Sequence, residues 1–182
     1  AADIVRLFQT RFDPRPNQSP DERKAREAEV VAAIEAALGQ VESLDEDRIL
    51  RSFAAVIKAT LRSSYFQGEI DGRLLKDYVS FKFDPALVPD IPKPVPYREI
   101  FVYSPFVEGV HLRFGPVARG GLRWSDRRED FRTEVLGLVK AQMVKNTVIV
   151  PVGSKGGFFV KRPPAAGDRD AVLAEGIACY QR

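Results

Sequence analysis

The chain contains very little cysteine, histidine, methionine or tryptophan, with one residue of each type. A single cysteine, Cys179, excludes an internal disulfide, and together with the single histidine, His111, it cannot build a structural zinc site. We therefore expect no metal. A Ser-His-Asp or Cys-His nucleophile would depend wholly on His111, and no supporting motif surrounds that residue.

Long apolar runs are missing as well. No stretch approaches the roughly 20 apolar residues that a membrane-spanning helix needs, and the first residues lack the basic-then-apolar pattern of a secretory signal. Hydrophobic residues make up 45% and charged residues 29% of the 182 positions, which is ordinary for a globular protein. We therefore expect a cytoplasmic protein without a membrane partner.

Acidic residues are scarce in one segment. Residues 115–162 contain ten lysines and arginines against four acidic residues, a surplus of +6, whereas the rest of the chain carries −3. The same segment holds most of the glycines. This asymmetry predicts an anionic partner, although a solvated basic face would explain the composition equally well.

The first part of the chain has the pattern of helices. Residues 1–18 are weakly patterned and end in a Pro/Asn/Gln-rich stretch that predicts a linker. Ser19–Glu22 forms a capping box with proline at the first helical position, Gly39 marks the end of that helix, and Ser43–Glu46 repeats the capping-box spacing. The second helix has an apolar series at helical period, namely Ile49, Leu50, Phe53, Val56, Ile57 and Leu61. We expect an antiparallel helical pair.

The second part alternates between strands and helices. Three short runs, "DYVSFKF", "REIFVYS" and "GVHLRFG", predict strands, and five prolines exclude a helix or an inner strand over residues 84–97. "EDFRTEVLGLVKAQMVKN" predicts a helix, "TVIVPV" a buried strand, and "RDAVLAEGIACYQ" a last helix that reaches Arg182 without a stop signal, as in a piece of a longer chain. The predicted fold class is α/β (mixed α+β), with a mainly helical segment over residues 1–75 and a mixed-sheet domain over residues 76–182.

Lys155 lies in a glycine cluster, "VPVGSKGGFFVK". A Walker A loop requires a glycine where Ile149 stands and a serine or threonine where Gly156 stands, and the strand-like "FFVKR" that follows offers no helix N-terminus to a phosphate. The chain has no G-x-G-x-x-G either. Glycines can instead leave room for a ligand beside a lysine, and a lysine among other cations can act as a general acid or base.

The helix before this cluster changes character along one face. Phe131, Val135 and Leu138 form an apolar stripe at steps of four and three, and the next positions on it are Gln142 and Lys145. Two polar residues thus continue a buried face, one turn before the strand that leads to the glycine cluster. A lysine in the last turn is also explained by the helix dipole and solvent.

A second cation precedes a glycine pair upstream, in Arg119-Gly120-Gly121. By itself this motif is equally typical of a turn with a solvated arginine. Arg119, Lys145 and Lys155 lie within 40 residues of one another. Two cations suit a substrate with two carboxylates, and a third could handle protons.

These motifs resemble the glutamate dehydrogenase family: a basic residue before Gly-Gly-Leu-Arg, then "KAQMVKN", then a strand ending in Pro-x-Gly-x-Lys-Gly-Gly. The longer stretch from "HLRFGPVARGGLRWSD" to "SKGGFFVKRPP" resembles the very large NAD-specific bacterial members. The resemblance is strong over residues 76–182 and weaker before them. It implies an oxidoreductase that converts L-glutamate to 2-oxoglutarate and ammonia.

The resemblance also implies roles for single residues. Lys155 matches the catalytic lysine, which activates water and handles protons when 2-iminoglutarate becomes 2-oxoglutarate. Lys145 and Gln142 match residues that hold the α-carboxylate of the substrate. Arg119 stands where smaller members have lysine at the γ-carboxylate, with Gly120 and Gly121 packed beside it.

Other parts that the resemblance implies are missing from this chain. The catalytic aspartate and the Rossmann domain that binds NAD would follow Arg182, so we expect an inactive fragment of a homo-oligomeric enzyme, with no cofactor-binding residues of its own. Asp168 and Asp170 instead have the pattern of helix caps.

Two other functions stay open. The chain could be a non-catalytic anion-binding or assembly module that keeps the cations without the chemistry. Nucleic-acid binding through the basic segment has no recognition motif to support it, and strand burial explains Trp124, Phe158 and Phe159. We expect no nucleic-acid partner.

Overall fold

A computed structural model describes residues 1–67, 69–70, 73–74, 76–145, 148, 152–165 and 168–182. The helices of this part of the chain are α1 (Ala2–Phe12), α2 (Pro20–Leu38), α3 (Leu44–Ala59), α4 (Phe131–Lys145) and α5 (Arg169–Gln181). The strands are β1 (Thr60–Ser63), β2 (Glu69–Ile70), β3 (Arg73–Leu74), β4 (Val79–Phe83), β5 (Arg98–Tyr103), β6 (Val107–Arg113), β7 (Leu122–Ser125) and β8 (Ser154–Val160). The predicted strand "TVIVPV" lies mostly outside the described residues.

The caps of α2 and α3 are those that the sequence predicts. Ser19 and Glu22 exchange both hydrogen bonds of a capping box, and the Ser43 hydroxyl accepts the backbone N–H of Glu46. Each bond satisfies a backbone donor that the first turn of a helix leaves without a partner.

The predicted helical pair is wrong in one respect, because residues 2–12 form a third helix, α1. No side chain caps its first turn, so the sequence carries no start signal. Packing stabilises it instead: Leu7 is completely buried against Val30, Ile34 and Leu38 of α2.

The apolar series of α3 is only partly buried. Leu50 and Ile57 pack against this cluster, whereas Ile49 and Phe53 are 51% and 59% exposed.

Six strands form one mixed sheet in the order β1-β4-β5-β6-β8-β7. All neighbours are antiparallel except β7 and β8, which run parallel and are connected through α4. The mixed α/β class is therefore confirmed. β1 belongs to the residues assigned to the helical segment, yet it pairs with β4 in this sheet, and the division at residue 76 stays a prediction.

Helices pack on both faces of this sheet. Val110 and Leu112 of β6 lie under α4, in one cluster with the helix residues Phe131, Val135, Leu136 and Val139. On the opposite face, Val107, Phe158 and Val160 pack with Cys179 of α5. No helix among the described residues is both long and apolar enough to cross a membrane.

The buried stripe of α4 differs from the predicted one. Phe131 and Val135 are buried as expected, but Leu138 is 38% exposed and Val139 takes its place in the core. The helix is turned so that residues 131, 135, 139 and 142 face the sheet. Lys145, one heptad after Leu138, is exposed with it.

Candidate functional site

Lys155 lies in a strand and not in the loop that its glycine neighbours suggested. β8 begins at Ser154, and Lys155 pairs with Leu112 of β6. Residues paired directly across a sheet share a face, and Leu112 is completely buried under α4. The half-buried Lys155 side chain therefore starts from the α4 face of the sheet.

Gly120 makes room for this lysine. Its backbone has φ of 82°, a left-handed conformation that favours glycine. A Cβ at Gly120 would lie 2.9 Å from the carbonyl oxygen of Ser154 and 3.1 and 3.2 Å from Cδ and Cε of Lys155. A side chain there would displace the lysine, whereas a Cβ at Gly121 would meet no other atom within 4 Å.

Arg119 precedes this contact and has an unusual environment. The residue is half-buried, and its Nη1 atom is buried without a hydrogen-bond partner among the described residues. A guanidinium nitrogen removed from water and left without an acceptor is unfavourable. An incoming carboxylate could supply that acceptor, since guanidinium and carboxylate pair through two parallel hydrogen bonds.

The last turns of α4 approach the start of β8. The side-chain oxygen of Gln142 accepts the backbone N–H of Ser154 at 2.8 Å. This bond fixes the residue before Lys155 and leaves the Gln142 NH2 group as the part that could face a carboxylate. Lys145 ends the helix on its exposed side.

His111 approaches the same strand from the opposite face. Its Nε2 lies 3.2 Å from the hydroxyl of the completely buried Ser154, and its Nδ1 accepts a hydrogen bond from Nε of Arg113 at 3.4 Å. Because arginine can only donate, the ring proton of neutral His111 lies on Nε2 and is donated to Ser154. Burial, and then the charge of Arg113, lowers the pKa of His111, which favours this neutral form.

The pair of Ser154 and His111 is therefore not a catalytic dyad. In a serine nucleophile system the histidine accepts the serine proton while a carboxylate orients its other nitrogen. Here the histidine donates to the serine, and an arginine occupies the position of the carboxylate. The arrangement positions Ser154 next to Lys155.

A third set of contacts fixes β7 against α4. Glu134 of α4 accepts hydrogen bonds from the Ser125 hydroxyl at 2.5 Å and from Nε of Arg123 at 3.0 Å. The hydrogen bond from Ser125 is the largest cause that lowers the pKa of Glu134, and the hydrogen bond from Arg123 lowers it further. The strand that follows Gly120 and Gly121 is thereby held to the helix that ends at Lys145.

The charges of the site are unbalanced. Within the described ranges, Arg119, Lys145 and Lys155 form no ion pair with any carboxylate. The same part of the chain has no group of three or more His, Cys, Asp or Glu side chains that could hold a metal. The arrangement suits a ligand with more than one negative charge.

The structure brings together some of the predicted site residues. Gly120 contacts Lys155, Arg119 is adjacent to Gly120, and Gln142 contacts Ser154, whereas Gly121 and Lys145 make no described contact with this group. Sequence reasoning missed Ser154 and the positioning role of His111. The only available signals were the place of Ser154 directly before the lysine and the presence of one histidine in the chain.

Comparison with known proteins gives one consistent family. The family model described as the catalytic domain of bacterial NAD-glutamate dehydrogenase matches residues 33–182. Proteins named NAD-specific glutamate dehydrogenase are 58% identical in Pseudomonas aeruginosa over 100% of this chain, and 58% and 59% identical in Mycobacterium tuberculosis and Halomonas elongata over 98%. The chain spans 11% of the length of each of these relatives. The chain belongs to the bacterial NAD-glutamate dehydrogenase family, and its residues 33–182 correspond to the catalytic domain.

Proposed function

We propose that this chain forms the substrate-binding part of an NAD-dependent glutamate dehydrogenase, which converts L-glutamate to 2-oxoglutarate and ammonia, and that Lys155 is its catalytic lysine. The observation that carries the proposal is the buried Nη1 of Arg119, which has no partner within the described residues. Arg119 directly precedes Gly120, and Gly120 contacts Lys155. A dicarboxylate would supply the missing acceptor beside a lysine that has room to reach it.

The residues divide the substrate between them. Arg119 would hold the γ-carboxylate as a bidentate fork, and Lys145 with the NH2 group of Gln142 would hold the α-carboxylate. Fixing both ends of the dicarboxylate orients the α-carbon, which is the positioning part of catalysis. Gly120 and Gly121 keep this space free of side chains.

Lys155 would move protons at the α-carbon. As a general base it takes a proton from the water that adds to 2-iminoglutarate, and as a general acid it returns a proton to the departing amine. The hydrogen bond from Ser154 to Gln142 on one side and the Gly120 contact on the other fix the strand position from which it acts.

The described residues do not fit the NAD that the names of the relatives imply. β7, α4 and β8 form a parallel strand-helix-strand unit, in which a dinucleotide would need a glycine-rich turn after the first strand. The turn here, residues 126–130, contains no glycine, so side chains stand where the backbone would have to approach a pyrophosphate closely. We therefore assign NAD binding to polypeptide outside this chain. The cytoplasmic location and the homo-oligomeric state stay predictions.

The test uses the full-length protein with Lys155→Ala. We expect kcat to fall by about 10²–10⁴-fold, the usual contribution of a positioned acid or base, while the calorimetric affinity for 2-oxoglutarate changes only a few-fold. Arg119→Ala should instead weaken 2-oxoglutarate binding at least tenfold. Lys140→Ala, which removes an exposed lysine from the same helix as Lys145, is the matched control and should leave both quantities unchanged.

The same measurements decide against the non-catalytic alternative. An anion-binding module would bind dicarboxylates without any turnover that depends on Lys155. Near-normal turnover of Lys155→Ala would falsify the assigned role. Unchanged 2-oxoglutarate affinity in Arg119→Ala would show that Arg119 does not hold a carboxylate of the substrate.

A further inference from the structure

The face of the sheet opposite α4 carries a group of four cations on adjacent strands. Arg62 of β1 lies directly opposite Lys82 of β4, and Arg98 of β5 lies directly opposite Arg113 of β6. Like charges directly opposite each other on neighbouring strands are destabilising. The sheet contains two such pairs, and they are offset by two residues along the strands, because Lys82 lies opposite Ile100.

The register places both pairs on one face. Lys82 is paired with Ile100, and Ile100 is paired with His111, so these residues share a face. Arg98 and Arg113 lie two positions from Ile100 and His111 and project to the same side. Burial is the main cause that lowers the pKa of Lys82, and the positive charges of the three arginines lower it further. This indicates that the three arginines lie near Lys82.

The helices at this end of the sheet lie on the other side. Phe81, which contacts Phe8 of α1, is paired with Phe101, and Phe101 is paired with Val110 under α4. The four cations alternate with these residues and therefore face away from α1 and α4. They are exposed or half-buried, and α5 packs further along the same face, against Val107.

Little within the described ranges neutralises this group. Arg98 has one carboxylate partner, Asp84, at 3.3 Å. The contact of Arg113 is to His111, a neutral ring. Arg62 and Lys82 have no carboxylate partner among the described residues. Four positive charges thus share one described negative charge.

A concave surface of about 210 Å³ adjoins the first pair, Arg62 and Lys82, and the second pair lies outside its lining. Its lining includes Arg62 and Lys82 together with hydrogen-bonding side chains, namely Ser63, Ser64, Gln67 and Ser80. The segment is held in place because the Ser64 hydroxyl accepts the N–H of Ser80 at 2.8 Å and the N–H of Ser64 reaches the Ser80 carbonyl at 3.0 Å. Since a water molecule occupies about 30 Å³ in the liquid, there is room for a tetrahedral oxyanion and several waters.

We propose that Arg62, Lys82, Arg98 and Arg113 form a second anion site, which takes a small polyvalent oxyanion of the phosphate class on the face of the sheet opposite α4. Cations that repel one another gain the most from a ligand with several negative oxygens, and the serine hydroxyls add donors. The site lies across the sheet from Lys155, so its ligand does not compete with the dicarboxylate.

The experiment measures binding of inorganic phosphate and of pyrophosphate to the full-length protein by calorimetry, at an ionic strength held constant with chloride. We expect binding of both, with affinity at least tenfold lower in Lys82→Gln and in Arg113→Gln. Arg48→Gln, which removes an exposed arginine of α3, is the control and should bind as the wild type does. Lys155→Ala should also leave phosphate affinity unchanged, which separates this site from the proposed substrate site.

A second readout distinguishes loss of the site from loss of the fold. In chloride alone, hydrogen exchange of the β4 amides should be equal or slower in Lys82→Gln, because the substitution relieves a repulsion. Faster exchange in that variant would show that an acidic surface of the polypeptide already covers the cations, and it would overturn the proposal. Absence of a phosphate response beyond that to chloride, or unchanged affinity in both glutamine variants, would overturn it as well.

Discussion

The two faces of β8 differ in what they hold, although their residues alternate along a single strand. Lys155 and Gly157 belong to the face under α4, and Ser154 and Gly156 belong to the face of His111. The α4 face combines dense apolar packing with the candidate catalytic lysine. The opposite face supplies polar contacts that fix the backbone of the same strand. A substitution in β8 should therefore disturb mainly the packing or the polar contacts of the face to which that residue belongs.

The two glycines show how closely each face is packed. A Cβ at Gly157 would lie 2.5 Å from Cγ2 of Val135 and 3.0 Å from the carbonyl oxygen of Arg123. A Cβ at Gly156 would meet the end of Leu122 at 2.3 Å, the His111 ring at 3.0 Å and the carbonyl oxygen of Val110 at 3.1 Å. Both positions also meet a backbone carbonyl group, so the difference lies in the nearest side chain. Val135 on the α4 face is completely buried and cannot move easily, whereas Leu122 is 44% exposed and can.

The largest effect is expected from Gly157→Ala. Overpacking a buried site costs about 1–3 kcal/mol, and we expect a value near the top of that range, because Val135 is completely buried. Hydrogen exchange of the β8 amides in the full-length protein measures the loss. Val135→Ala in the same chain should remove most of the added cost, which a double-mutant cycle can detect.

Gly137→Ala is the matched control for this substitution. A Cβ at Gly137 would meet nothing within 4 Å, and the residue lies within α4. Replacing an unobstructed helical glycine with alanine should stabilise the helix by up to about 1 kcal/mol. If Gly157→Ala proves as harmless as Gly137→Ala, the α4 face is looser than the distances indicate.

Gln142 tests whether one side chain serves both the fold and the substrate. Gln142→Leu leaves the buried N–H of Ser154 without its acceptor, and we expect a loss of about 1–2 kcal/mol in local stability. Gln142→Glu keeps an acceptor oxygen and should retain most of that stability. It should nevertheless raise the KM for glutamate at least tenfold, because a carboxylate would repel the substrate α-carboxylate.

Steady-state kinetics and hydrogen exchange on the two variants separate these roles. An unchanged KM in Gln142→Glu would show that Gln142 holds the backbone of Ser154 but does not contact the substrate. Equal losses of stability in both variants would contradict the importance of the hydrogen bond itself.

The smallest effect concerns pH and belongs to the His111 face. Burial and Arg113 hold the pKa of His111 below its ordinary value of about 6.5, so the unfolded chain binds more protons than the folded chain as pH falls. The stability that His111 contributes is therefore complete above about pH 6.5 and decreases below it until the folded histidine is also protonated. Slower exchange of the β6 and β8 amides at pH 7.5 than at pH 5, after correction for intrinsic rates, would confirm this.

The matched variant is His111→Gln, which keeps a donor near Ser154 but does not titrate. Its β8 amides should lose most of the pH dependence. The same pH dependence in this variant would assign the effect to another group.

The sequence predicts those features whose causes are local. The caps at Ser19, Ser43 and Asp168 follow from side chains three residues from the amides that they accept. Alternation and proline content predict β4, β5 and β6 with small errors at their ends. The glycine pairs next to Arg119 and Lys155 predicted these two cations as candidate site residues.

The features that sequence reasoning missed depend on distant partners. α1 is helical because Leu7 packs into α2. The parallel pairing of the four-residue β7 with β8 likewise depends on a distant segment. His111 and Ser154 lie 43 residues apart and meet only through the register of β6 with β8. None of these relations has a local pattern.

The parallel pairing of β7 and β8 determines where a reaction partner would approach. Gly121 comes directly before β7 and Lys155 lies at the start of β8, so both are at the amino ends of the two strands. Ligands of open parallel sheets usually gather beyond the carboxyl ends instead. Under the proposed function, a second domain that brings the hydride acceptor would have to close over the amino ends, leaving the edge near Ser125 and Val160 outside the cleft.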